Sequence, residues 1–137
     1  MAKQRTLPQL KKQLWNLFAE YIKLRASSDG EYCRCFTCGK SLKIGTQGCN
    51  AGHYLPKGAY PGLYFHEMNV HPQCYSCNGP KQGNQIVFRE NLISKYSEDM
   101  VMALESARHE PSGWVRTDYM EKIEHYKEKI RTLKLQF

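Results

Sequence analysis

The sequence predicts an α+β protein in which a cysteine-rich middle segment is flanked by helices. Apolar residues recur at three- and four-residue steps near both ends of the chain, which is the period of an amphipathic helix. Glycine and proline are frequent between residues 31 and 65, where they exclude a long helix and favour short strands and turns. Two Cys-x-x-Cys pairs, one within that segment and one after it, indicate a bound metal.

We predict a single domain, because a chain of 137 residues can form one modest hydrophobic core. We divide residues 1–137 into an N-terminal helix (7–26), a metal-binding core (31–96) and C-terminal helices (97–137). The net charge is +7, although the last of these segments holds seven basic and eight acidic side chains. The positive excess therefore lies on the part that contains all the cysteines. Such an excess suits a polyanionic partner, and it also serves solubility.

The N-terminal helix is predicted from an apolar stripe that runs from Leu7 to Leu24, with charged residues between its members. Gly30 is the expected stop, because glycine readily takes the left-handed conformation that ends many helices. After this stop, short strands are predicted over residues 32–36 and 51–55.

The helical period returns after the second cysteine pair. A loop over residues 79–84 precedes a helical segment over 84–97, and Ser97 is the expected N-cap of the following helix. The segment "EPSG" separates that helix from a last one, which opens at Thr117 and Asp118. The apolar stripe of this last helix is expected to pack against the first helix or a second subunit, and it consists of Tyr119, Ile123, Tyr126, Ile130 and Leu133.

The two Cys-x-x-Cys pairs supply four thiolates for a closed tetrahedral zinc site: Cys35, Cys38, Cys74 and Cys77. A redox role is disfavoured because no βαβ pattern surrounds either pair. Between the pairs lie 35 residues, more than the roughly 15–20 of a simple zinc ribbon, so a further segment is inserted there. Cys33 and Cys49 remain, and we expect them to be buried thiols.

The inserted segment and the second pair carry a recognisable motif. "AGHY" contains His53, "MN" contains Asn69, and "CN" places Asn78 directly after the second pair. This arrangement resembles the ββα-metal, or HNH, nuclease motif in its zinc-bearing form. With "LFAEYIKLR", "CRCFTCGK", "FHEMNVHPQCYSCN" and "KQGN", the chain resembles the phage NinG family, also known as Rap, over residues 7–130. The resemblance is most specific over residues 35–84.

The resemblance implies a zinc-stabilised HNH finger with helices on both sides. It also implies a metal-dependent endonuclease that hydrolyses phosphodiester bonds in branched DNA, such as Holliday junctions and D-loops, during recombination. Zinc would be structural, and Mg²⁺ or Mn²⁺ would be the catalytic cofactor. A symmetric junction would suit a homodimer.

Each residue of the motif suits one part of this chemistry. His53, as a neutral imidazole, can take a proton from the attacking water. Asn69 does not titrate, and its amide is expected to tie the hairpin together and to orient His53. Asn78 offers a carbonyl oxygen to Mg²⁺, which prefers oxygen ligands. Taken singly, asparagines more often cap turns and helices.

Two further residues are candidate ligands of the catalytic metal. Asn50 stands where members of the family usually carry the Asp of "DxGH", and a neutral amide binds Mg²⁺ more weakly than a carboxylate. His71 is the other candidate, with packing as the alternative role. Glu67 is a possible substitute for the missing carboxylate.

Basic residues near the motif are candidates for phosphate contacts. Lys57, Lys81 and Arg89 flank the predicted site, and Lys40 and Lys43 lie on the first cysteine knuckle. The alternative for each is an ordinary solvated side chain.

The chain has no run of about 18 apolar residues and no signal-peptide pattern in its first ten residues. We therefore expect no membrane association and a cytoplasmic location, which is the bacterial host cytoplasm if a phage encodes the chain. Two other functions remain open. One is a zinc-dependent branched-DNA-binding module with weak or no catalysis, and the other is an adaptor of a recombination complex.

Overall fold

A computed structural model describes residues 4–111 and 113–137. The chain forms five helices and four strands over these residues, in the order α1 (Leu7–Arg25), β1 (Tyr32–Arg34), β2 (Ser41–Lys43), β3 (Cys49–His53), β4 (Val70–Cys74), α2 (Tyr75–Asn78), α3 (Gln85–Lys95), α4 (Glu98–Ser106) and α5 (Arg116–Lys134). Short 3-10 turns occupy Pro61–Leu63 and Ala107–His109. The predicted α+β class is confirmed. The predicted "EPSG" break includes Ser112, which lies outside the described residues.

Helix α1 begins and ends for reasons that lie in its flanking residues. The Thr6 side chain accepts a hydrogen bond from the Gln9 amide, and the Gln9 side chain accepts one from the Thr6 amide, so the first turn is capped. The helix ends at Arg25, one residue before the predicted bound of 26, and the expected glycine stop lies five residues further on. Gly30 has a φ of +80°, but it lies in the turn before β1, where its amide donates to Ser27 Oγ.

Two antiparallel hairpins form the cysteine-rich middle. Strand β1 pairs with β2, and β3 pairs with β4 from Cys49 opposite Cys74 to His53 opposite Val70. The two predicted strands are present, although both end earlier than predicted. Strand β4 was not predicted, because all five of its residues are buried and its sequence, which includes Pro72, shows no alternation of polar and apolar residues.

The largest core cluster lies between α1, α5 and the β3–β4 hairpin. Phe18 is fully buried there, and its ring meets the edges of Phe65 and Tyr126 at centroid distances of 5.6 and 5.2 Å. The apolar stripe of α5 was expected to pack against either α1 or a second subunit, and the structure shows that it packs against α1. A second cluster joins α3 and α4 to Tyr54 and Leu63.

Glu67 joins the loop before β4 to both long helices. Its carboxylate accepts a hydrogen bond from Tyr126 Oη at 2.8 Å and forms ion pairs with Arg25 and Lys129. Arg25 also donates to the backbone carbonyls of Glu67 and Val70. Because these groups already satisfy the carboxylate, the structure does not support Glu67 as a substitute metal ligand.

The C-terminal helices follow the prediction closely. Ser97 Oγ accepts a hydrogen bond from the Met100 amide, so Ser97 caps α4 as expected. No helix within the described part of the chain is long and apolar enough to cross a membrane.

Replacing Phe18 with alanine is expected to lower the free energy of unfolding by about 3–5 kcal/mol, because it removes a buried aromatic ring and leaves a cavity. Urea denaturation at saturating zinc would measure the change. Leu7→Ala on the same helix is the control, since Leu7 is 46% exposed and its loss is expected to cost less than about 1 kcal/mol. Equal losses in the two variants would contradict the assigned core.

Candidate active site

The four cysteines of the two Cys-x-x-Cys pairs meet in one group. The Sγ atoms of Cys35, Cys38, Cys74 and Cys77 all lie within 4.8 Å of one another, and those of Cys38 and Cys74 are 3.7 Å apart. A tetrahedral zinc with Zn–S bonds of about 2.3 Å separates its sulfurs by about 3.8 Å. The group therefore has the donors and the spacing to hold a structural metal such as zinc.

Local backbone structure sets this spacing. In the first knuckle the Cys35 amide donates to the Lys40 carbonyl, and Gly39, at a φ of +78°, turns its own amide onto the Cys35 carbonyl. In the second knuckle Cys74 is the N-cap of α2, and its sulfur accepts a hydrogen bond from the Cys77 amide at 3.4 Å. Each pair thus presents two sulfurs from one tight turn.

Cys33 and Cys49 are buried, as expected, and lie beside this group rather than in it. Their Sγ atoms are 3.6 Å apart, between β1 and β3. They help to fill the small core under the first knuckle together with Leu42.

His53 lies at the end of β3, on the face that packs against α1. Its Nε2 is 2.9 Å from the Tyr64 carbonyl oxygen. Because a carbonyl oxygen can only accept, this contact assigns the proton to Nε2 and leaves the lone pair on Nδ1. The pKa of His53 is lowered to about 4, mainly by burial; the hydrogen bond to the Tyr64 carbonyl opposes the shift, and the charge of Lys57 adds to it. The imidazole is therefore neutral near pH 7.

Asn69 is fully buried and fastens the segment that follows His53. Its Oδ1 accepts from the Leu55 amide at 2.8 Å, and its Nδ2 donates to the carbonyls of Leu55 and Leu63 at 3.0 and 3.2 Å. The Tyr54 amide donates to the Asn69 carbonyl. Asn69 thus ties the hairpin through the backbone beside His53, and its role in orienting the imidazole stays a prediction.

Asn78 is the last residue of α2 and is exposed. It lies beside Gly52, on the face of β3 opposite to that of His53. A Cβ atom placed on Gly52 would overlap the carboxamide of Gln73 and would lie 3.0 Å from Asn78 Oδ1. Glycine is therefore required at position 52, and two amide oxygens converge on its Cα.

Gln73 is a site residue that the sequence did not indicate. It is fully buried, and its Nε2 donates to the Gly83 carbonyl at 2.8 Å and to Thr37 Oγ1 at 3.2 Å. These two bonds fix the orientation of the amide. Its Oε1 has no hydrogen-bond partner among residues 4–111 and 113–137. Because β4 was not predicted, no face could be assigned to Gln73 from sequence.

The two other candidate metal ligands have different surroundings. Asn50 is the partner of Gln73 in the β3–β4 register, and its Nδ2 donates to the Gln47 carbonyl. His71 is buried with its ring stacked on Phe36 at 4.1 Å, and its Nε2 lies 3.2 Å from the Met68 carbonyl. The structure thus favours packing, the alternative role that the sequence left open for His71.

Two lysines lie over aromatic rings that contact His53. Lys57 Nζ lies 5.5 Å from the ring centroids of both Trp15 and Tyr64. Lys11 Nζ lies 4.4 Å from the Tyr64 centroid. Lys57 is therefore close to the site, as predicted, whereas Lys11 was not identified, because its place on α1 gave no sign of proximity to His53.

The other basic candidates lie beside the cysteine group, on β2 or in an ion pair. Lys40 and Lys81 line a cleft of about 300 Å³ beside the cysteine group, and Lys43 is exposed on β2. Arg89 makes two hydrogen bonds to the Glu105 carboxylate, at 3.1 and 3.2 Å. A phosphate would have to compete with Glu105 for Arg89, so the structure weakens that prediction.

A family model described as "Bacteriophage Lambda NinG protein" matches residues 1–136. The chain is 33% identical to "Protein ninG" of Escherichia phage lambda over 100 residues, which cover 73% of this chain and 47% of that protein. It is 32% identical to the Salmonella phage P22 protein of the same name over 100 residues, with the same coverage. The Enterobacteria phage H19B protein is 40% identical over 65 residues, 47% of this chain and 32% of that protein.

The chain thus spans about half the length of the phage lambda and P22 relatives it matches. No solved structure matches it.

Cys38→Ser is expected to abolish zinc binding, because it removes one of four thiolates and a hydroxyl is a poor ligand for this metal. Elemental analysis after dialysis would measure zinc per chain. Cys38 is exposed, so its side chain contributes little to packing. Cys33→Ser is the control and is expected to keep the zinc of the unmodified chain. Loss of zinc from the control alone would show that the ligand set is wrong.

Proposed function

This chain belongs to the family of the bacteriophage lambda NinG protein, and we propose that it is a metal-dependent DNA endonuclease of the HNH, or ββα-metal, type. The observation that carries the proposal is the state of His53. Its Nε2 proton is held by the Tyr64 carbonyl, its ring is neutral near pH 7, and its strand ends beside the amide oxygens of Asn78 and Gln73.

His53 is the general base in this proposal. Nδ1 accepts a proton from a water molecule, whose oxygen forms a bond to phosphorus while the bond from phosphorus to the leaving oxygen breaks. The Tyr64 carbonyl stabilises the imidazolium that results, because it accepts a hydrogen bond from Nε2–H. Lys57 opposes that charge, so the proton is readily passed on to solvent.

The residues beside Gly52 fit an oxygen-preferring cation. Asn78 Oδ1 and Gln73 Oε1 both lie next to the Gly52 Cα. Within the described residues, no donor forms a hydrogen bond to Gln73 Oε1. Two neighbouring acceptors are unfavourable unless a cation or a water proton lies between them. We propose that Asn78 holds Mg²⁺ or Mn²⁺, with Gln73 beside it. When bound, the cation supplies positive charge at the leaving oxygen.

The zinc group has a structural part in the proposal. Cys74 ends β4 and Cys77 lies directly before Asn78, so a metal on these two thiolates fixes the amide oxygen of Asn78 relative to β3. Loss of zinc is thus expected to disable catalysis through the position of Asn78.

DNA is the proposed substrate. Lys57 lies near His53, Lys11 lies over the neighbouring Tyr64 ring, and Lys40 and Lys81 line the cleft beside the cysteine group. Preference for branched DNA rests on the family resemblance, and the homodimer is likewise a proposal.

A DNA-binding module without catalysis is the second candidate. It is favoured by one observation, namely that the oxygens beside Gly52 belong to neutral amides, which attract a divalent cation less than a carboxylate does. Binding to junctions that is unchanged by Mg²⁺ or Mn²⁺ would support this alternative.

The decisive experiment is cleavage of a labelled four-way junction and a matched linear duplex with Mg²⁺, Mn²⁺ or EDTA. His53→Ala is expected to slow cleavage by about 10²- to 10⁴-fold, which is the usual contribution of a general base, while junction binding is retained. His125→Ala is the control, because His125 is exposed on α5. Metal-dependent cleavage that survives His53→Ala would disprove the assigned base.

Asn50→Asp is expected to tighten Mn²⁺ binding and to raise the cleavage rate at limiting metal, because it adds a carboxylate opposite Gln73 in the hairpin register. Manganese electron paramagnetic resonance would measure free Mn²⁺ directly. Asn16→Asp on the exposed face of α1 adds the same charge elsewhere. Equal tightening by both variants would indicate a general charge effect and not a site at Gly52.

A further inference from the structure

We propose that Trp15, on α1 and outside the cysteine–histidine motif, is a positioning residue for His53. The inference rests on the proposed function in taking His53 as the base. It adds that the orientation of the imidazole is set by a residue of the N-terminal helix, through stacking.

Three contacts restrict the imidazole. The Trp15 indole covers one face, with centroids 5.2 Å apart and planes inclined by 18°. The Tyr64 ring lies at 5.4 Å and 71°, against the edge of the imidazole. The Tyr64 carbonyl holds Nε2. The stack fixes the plane of the ring and the carbonyl fixes its rotation, so Nδ1 is the nitrogen that stays available.

Trp15 is itself held in place by neighbours other than His53. Its ring lies 6.0 Å from Phe18 and 6.3 Å from Phe65, and it meets the Tyr64 ring edge-on at 5.4 Å. Phe18 belongs to the main core cluster, and Phe65 and Trp15 itself pack against it. Because the indole is anchored on the core side, the imidazole takes the orientation of the indole and not the reverse.

The charged groups around the stack favour a neutral imidazole. Lys57, in the loop after β3, faces the rings of both Trp15 and Tyr64, and Lys11 of α1 faces Tyr64. Within the described residues no carboxylate forms an ion pair with His53. The indole also excludes water from one face of the ring. Removing the indole exposes the imidazole to water, so the burial that lowers the pKa of His53 becomes weaker.

Trp15→Leu tests the proposal. The variant is expected to lower kcat by about 10- to 100-fold with little change in KM, because a misplaced base weakens the transition state more than it weakens substrate binding. Nitrogen-15 NMR of the histidine rings is expected to show the Nε2–H tautomer of His53 in the unmodified protein. In the variant it is expected to show a mixture of tautomers.

The pH profile gives a second readout. Because His53 of the unmodified protein is neutral throughout, its cleavage rate is expected to be flat between about pH 6 and pH 8. In Trp15→Leu the pKa of the exposed ring rises toward its ordinary value of about 6.5. The neutral fraction then falls as the pH is lowered, and the rate is expected to decline below about pH 7 with it.

Trp114→Leu is the matched control, because Trp114 stacks on Phe65 at 5.3 Å in the same aromatic group. It is expected to leave the tautomer and the pH profile of His53 unchanged. If Trp15→Leu fails to fold, Trp15→Met keeps more of the side-chain volume and lacks the flat ring, so the same changes are expected.

A folded, zinc-containing Trp15 variant with unchanged tautomer, pH profile and kcat would overturn the proposal. If no protein cleaves DNA but Trp15→Leu still changes the His53 tautomer, the positioning is supported and the nuclease function fails. NMR thus separates the two failures.

Discussion

The candidate site depends on the connection between β4 and α2. Cys74 is the last residue of β4, the partner of Cys49 across the hairpin, the N-cap of α2 and one of the four clustered thiols. A metal bound by these thiols would join the first knuckle to the end of β4. Since Asn78 directly follows Cys77, the position of its amide oxygen relative to β3 is a consequence of the same connection.

The site is arranged on both faces of β3, with different physical surroundings on each. His53 lies among aromatic rings and lysines on the α1 side, where burial and positive charge keep its imidazole neutral. Asn78 and Gln73 present amide oxygens on the other side, next to a glycine that cannot be replaced without a clash. Because one scissile phosphate must reach both groups, the proposed reaction places that phosphate at the end of β3, next to His53 and Gly52.

Parts of the fold with a strong local signal were predictable. The apolar stripes placed α1 and α5, Ser97 gave the start of α4, and the cysteine spacing gave the four-thiol group. Strand β4 was not predictable, because it is buried on both faces, so its sequence lacks the alternation of a half-exposed strand.

The sequence by itself determined the residue types of the candidate site, because chemistry limits which side chains suit the proposed reaction. These residues are His53, Asn69, Asn78 and the four clustered cysteines. Tertiary structure decided which other residues join them. Packing placed His71 in an aromatic core, paired Arg89 with Glu105, and brought Trp15 onto His53. These outcomes depend on which faces of separate helices and strands pack together. The local spacing of residues along the chain does not predict that packing.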